Sequence, residues 1–114
     1  MKLSIALLLI LSSFNAFSAD DSGGYAVLGR GTISCGAVIE ANEKNNRVSM
    51  LATTEWVNGY LTAFNISKYG VYDLTKNIDV DGRKQWILKY CKENPLEMLA
   101  VAAKRLADEL ESRK

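Results

Sequence analysis

"VSMLATTEWVNGYLTAFN", residues 48–65, decides how this chain folds. Val48, Leu51, Ala52, Trp56, Val57, Tyr60, Leu61 and Phe64 recur at the spacing of helical turns, which lays a broad apolar stripe along one helix. A helix over 48–65 with such a stripe must bury it against other helices. Gly59 falls inside the stripe, where glycine costs up to about 1 kcal/mol relative to alanine. The expected compensation is close approach of another helix backbone.

Working outward, "EKNNR" (43–47) breaks the pattern on the N-terminal side. Before it, a helix is expected from Ser34, whose hydroxyl caps free backbone N–H groups, to about Lys44. Cys35, Val38 and Ile39 share one side of it. On the C-terminal side, "ISKYGVYDLTKNIDV" (66–80) holds no period and reads as a long connection carrying Tyr69 and Tyr72. A third helix is expected over about Gly82–Lys92, with Trp86, Ile87, Tyr90 and Cys91 inward. In "NPLE" (94–97), Asn94 reads as the N-cap of a fourth helix, Pro95 as its first residue and Glu97 as its capping-box glutamate. The stripe Leu96, Leu99, Ala100, Ala103, Leu106, Ala107, Leu110 then runs to the end. Four amphipathic helices without strand pairing predict an all-α, four-helix domain.

"NIDVDG" (77–82) opens like a calcium-binding EF-hand loop. With Asn77 as position one, however, the position that must supply a bidentate glutamate is Leu88, and position nine is Gln85. No helical run precedes it. The plainer reading is that Asp81 caps the third helix, helped by the helix dipole, while Asn77 and Asp79 sit in a solvated turn.

Residues 1–18 have the form of a secretory signal: Lys2, an apolar run from Leu3 to Leu11 broken only by Ser4, and small residues Ala16 and Ser18 before the favoured cleavage point. The run is about half the roughly 20 residues that span a bilayer, so no membrane anchor is expected. Cleavage near Ser18 is expected to release the mature chain into an exported, oxidising compartment. Residues 19–31, with four glycines, read as a flexible leader, and 32–114 as the helical domain. Losing Lys2 turns 14 basic and 13 acidic residues into 13 of each. A balanced chain without a basic face is not expected to bind nucleic acid. In an oxidising compartment Cys35 and Cys91 are expected to pair, closing a loop of 57 residues, both ends counted.

The chemistry is sparse. With no histidine there is no Ser-His or Cys-His pair, and the commonest metal ligand is missing. Glu55, Asp73, Asp79 and Asp81 are the carboxylates left for acid–base work, with Glu55 expected on an exposed helical position. No phosphate-binding glycine loop occurs. Asn65-Ile66-Ser67 spells a glycosylation sequon, of consequence only in a eukaryotic secretory pathway. The chain is expected to be no enzyme, to need no cofactor, and to act by presenting a surface. The address for that surface is the 66–80 connection, with Lys68, Tyr69, Tyr72, Asp73 and Lys76 as contact candidates, since tyrosine suits interface hot spots. The alternative is that Tyr69 and Tyr72 fold back over the helices.

"SCG" (34–36) opening a helix, "WVNGYLTAFN" (56–65) in the next, Asp79, Asp81, Trp86, Tyr90-Cys91 and Asn94-Pro95 around the third, and a closing alanine–leucine helix occur in one order. That order, over about Thr32–Leu110, resembles the Rap/Tai-type immunity proteins of Gram-negative bacteria. The resemblance implies a mostly helical periplasmic protein with one disulfide, often dimeric. Its implied partner is a secreted peptidoglycan amidase effector of type VI secretion, which it binds and blocks. By position, Cys35 and Cys91 form the disulfide, and Trp56, Gly59, Tyr60, Trp86 and Tyr90 are framework. Two other readings stand beside it. One is an acid-stress chaperone similar to the Hde family, loosened at low pH when carboxylates lose charge and bases keep theirs. The other is an envelope protein without a toxin partner.

Overall fold

The computed structural model describes residues 22–113. The expected signal, 1–18, and the start of the leader, 19–21, lie outside the described residues. Among those described, four α-helices form: α1 (Cys35–Glu43), α2 (Arg47–Ser67), α3 (Val80–Glu93) and α4 (Leu99–Ser112). A 3-10 turn, Gly29–Thr32, precedes them, and the only β-type pairing among the described residues is an isolated bridge between Ser34 and Met98. The all-α class read from the sequence is the class observed.

Local chemistry sets the first two helices. The Ser34 hydroxyl accepts the N–H of Ala37 at 3.1 Å, as expected of a cap. The chain then reverses at Asn45, at φ 52°, a left-handed conformation that asparagine tolerates better than most residues. Asn46 caps α2, its side-chain oxygen accepting the N–H of Ser49 at 3.0 Å.

The rotation of α2 differs from the expectation. Its buried residues are Met50, Thr53, Val57 and Leu61, while Val48 and Leu51 are 81% and 63% exposed. The cause is Arg30, which reaches across from the 3-10 turn. Its Nε donates to the Thr53 hydroxyl and its Nη2 to the Ser49 carbonyl, both at 3.3 Å. Thr53 also donates to the Ser49 carbonyl at 3.0 Å, so a polar residue sits inward with its hydrogen bonds made. Gly59 is likewise corrected: a β-carbon there meets nothing within 4 Å, so no helix among the described residues packs against it.

The starts of α3 and α4 also shift. Asp79, not Asp81, caps α3, its carboxylate accepting the N–H of Gly82 at 2.7 Å. Asp81 falls in the first turn, where the dipole still favours its charge. Asn94 does not begin α4; it ends α3, with its backbone N–H and its side-chain amide both donating to the Tyr90 carbonyl at 2.9 Å. α4 begins at Leu99 behind Met98, which offers no side-chain cap, and Leu96 leaves the stripe at 96% exposure. The intervening turn has another task. Its carbonyls at Pro95 and Glu97 accept the N–H groups of Gly36 and Cys35 at 2.8 and 2.7 Å, satisfying donors that the start of α1 leaves free.

α4 is the most buried helix. Leu99, Ala102, Ala103, Leu106 and Ala107 have no exposed surface, and Val38, Val57, Leu61 and Ile87 close around them. Cys35 and Cys91 are bonded and fully buried, joining the start of α1 to the end of α3. Trp86 and Tyr90 stack at 5.4 Å on the edge of α3, and the Trp86 indole donates to Glu109 of α4 at 2.8 Å. The end of the expected leader belongs to this packing. Gly31 is buried against the Trp56 ring, whose indole N–H donates to the Leu28 carbonyl at 2.9 Å.

Candidate functional site

α2 ends at Ser67 and α3 begins at Val80, so the connection between them projects from one end of the bundle. It is tied at several points. The Asn65 side-chain oxygen accepts the N–H of Leu74 at 2.9 Å, and Leu74 itself is 5% exposed, seated in the core. Val71 and Ile78 pack against that core from the rim. Arg83 holds the far end, donating to the Ile78 carbonyl at 3.0 Å and to Asn58 of α2 at 3.2 Å. Gly70, at φ +78°, supplies the left-handed turn that brings Val71 back inward.

The five candidate residues divide by what holds them. Lys68 pairs with Glu111 of α4 at 3.0 Å and lies 5.6 Å from the Phe64 ring centre, so its charge is committed to the fold. Asp73 accepts both the N–H and the hydroxyl of Thr75 at 2.8 Å. The Thr75 hydroxyl, then its backbone N–H, hold the Asp73 carboxyl below its ordinary pKa. Asp73 therefore fastens a turn. Tyr69, Tyr72 and Lys76 make no hydrogen bond or ion pair among the described residues. Tyr69 and Tyr72 are fully exposed, which rules out the alternative in which they fold back over the helices. Two aromatic rings thus stand in solvent on a backbone pinned from both sides.

The candidate carboxylates do not converge. Asp79 is spent on a cap, Glu55 lies exposed on α2, and no group of three or more His, Cys, Asp or Glu among the described residues is placed to hold a metal ion. No helix among them is long and apolar enough to cross a membrane. Sequence reasoning missed Arg83, the residue that anchors the loop. Its spacing from Asn58 is 25 residues, and nothing local announces that pairing.

Fold and surface together define a disulfide-closed helical domain that displays an aromatic loop. No known protein family matches the chain, and neither a curated protein nor a solved structure does.

Proposed function

We propose that the chain is a periplasmic immunity protein: it binds a peptidoglycan amidase effector of a type VI secretion system and blocks it, with the 66–80 loop as the contact. The observation that carries this reading is the full exposure of Tyr69 and Tyr72 on a tethered backbone. A flexible loop would lose conformational entropy on binding, whereas one held by Asn65, Leu74 and Arg83 has already lost it. Large aromatic side chains with polar tips then supply contact area at little further cost. The resemblance of the motif order to that of the Rap/Tai-type proteins supports the choice of partner, and the sparse acid–base chemistry supports action by adhesion rather than turnover. Lys76 stands free beside the tyrosines to set orientation through charge.

Calorimetric titration of the mature chain with a peptidoglycan amidase effector of a type VI secretion system, sought first among the products of the neighbouring genes, tests the reading, together with an assay of amidase activity. Stoichiometric binding that silences the enzyme is expected. Tyr69→Ala with Tyr72→Ala should weaken binding by about 2–4 kcal/mol, roughly 30- to 1000-fold. Full amidase activity at saturating chain would reject the proposal. The dimer implied by the same resemblance is read by light scattering on the mature chain.

A further inference from the structure

Residues 25–28, without regular secondary structure, lie beside the outward side of α2 and with it and Ala100 of α4 line an open cleft of about 490 Å³. That volume is ample for an amino-acid side chain and part of its backbone. Its walls are aromatic. Tyr25, Trp56 and Tyr60 line it, the last two stacked at 5.9 Å with planes 27° apart, and Gly59 adds no side chain to fill it.

One charge faces this cleft without a counter-ion. Glu55 lines it and is exposed; its side chain meets only the Asn58 amide, at 3.4 Å. The nearby Lys104 is already paired with Asp108 at 2.8 Å. Aromatic faces beside an uncompensated carboxylate are complementary to a cation, and best to a planar one: a guanidinium stacks on rings and pairs with a carboxylate at the same time. The 25–28 segment adds a second element. The backbone groups of Tyr25, Ala26 and Val27 make no hydrogen bonds among the described residues, and the Leu28 carbonyl is taken by Trp56. Unpaired backbone N–H and C=O groups next to a side-chain pocket can take up hydrogen bonds from the main chain of a bound peptide.

We propose that this cleft binds an extended peptide segment carrying an arginine, whose guanidinium lies against the Trp56 and Tyr60 rings and pairs with Glu55 while its backbone bonds to residues 25–27. The site is separate from the 66–80 loop and stands or falls independently of the immunity reading.

Nuclear magnetic resonance titration of the mature chain with acetyl-Ala-Arg-Ala-amide tests it, beside the same peptide with citrulline and beside guanidinium chloride. The arginine peptide should saturate at millimolar concentration or below, shifting resonances of residues 25–28 and 55–60. Citrulline, which keeps the shape and loses the charge, should bind about tenfold more weakly. Glu55→Gln alters an exposed side chain and should cost a similar factor with an unchanged circular-dichroism spectrum. Equal binding of the two peptides, indifference to Glu55→Gln, shifts located elsewhere, or no saturation would each overturn the assignment. Guanidinium ion binding as tightly as the peptide would overturn it too, leaving a small-cation site with no role for the 25–28 segment.

Discussion

A β-carbon added at Gly31 lies 2.1 Å from Cζ2 of Trp56, whereas one added at Gly59 meets nothing within 4 Å. Gly31→Ala must therefore displace the indole or the 3-10 turn, breaking the Trp56–Leu28 hydrogen bond, and should destabilise by about 1–3 kcal/mol. Urea unfolding measures the loss, and a red shift of tryptophan emission would mark the displaced ring. Gly59→Ala should do the reverse. It removes a flexible residue from a helix interior without meeting a neighbour, for a gain of about 0.4–1 kcal/mol in the same urea experiment. Gly59 raises the question of close approach in the sequence, whereas Gly31 reads only as part of a flexible leader. Only the folded chain answers it, because Trp56 lies 25 residues from Gly31 and no local pattern connects them.

Helix existence follows from local rules, and helix rotation does not. Ser34 before Cys35, the Asn45-Asn46 reversal and the four apolar stripes are nearest-neighbour signals, and each element they announce is present. The stripe of α2 was ambiguous because apolar residues cover more than half of its circumference. Arg30, reaching Ser49 and Thr53 from outside the helix, chooses the buried side. Asn94 shows the same limit: it can end one helix or start the next, and its contacts to Tyr90 decide. At the joint of α3 and α4, Glu109 carries a prediction. The Trp86 N–H first, and Arg113 next, hold its carboxyl below the ordinary value of 4.5. The resulting stability is complete above the unfolded-state pKa and is lost as pH falls through the lower folded-state value. Glu109→Gln should be less stable than the parent at neutral pH and should lose less on acidification below about pH 4.5. Thermal unfolding across that range reads the difference in slope.

For the molecule as a whole, Cys35–Cys91 binds the start of α1 to the end of α3 beside a core to which α4 contributes more residues than any other helix. Closing a 57-residue loop stabilises by about 4 kcal/mol on the chain-entropy model, a large part of what a domain this size possesses. Replacing both cysteines by alanine should cost an amount of that order, seen as a lower urea midpoint. The candidate surface was legible in part. The lack of periodicity in 66–80 and its two tyrosines placed it, but its stiffness comes from Asn65, Leu74 and Arg83, whose contacts join residues 9 to 25 positions apart. On the proposed reading, those tethers would lower the entropy lost when the exposed aromatic rings meet a partner. Hydrogen–deuterium exchange of the mature chain, alone and saturated with the amidase, tests the central claim most directly. The account predicts that slowed exchange centres on residues 66–80 and vanishes in Tyr69→Ala/Tyr72→Ala at the same concentrations. Unchanged exchange throughout that loop in a formed complex would contradict it.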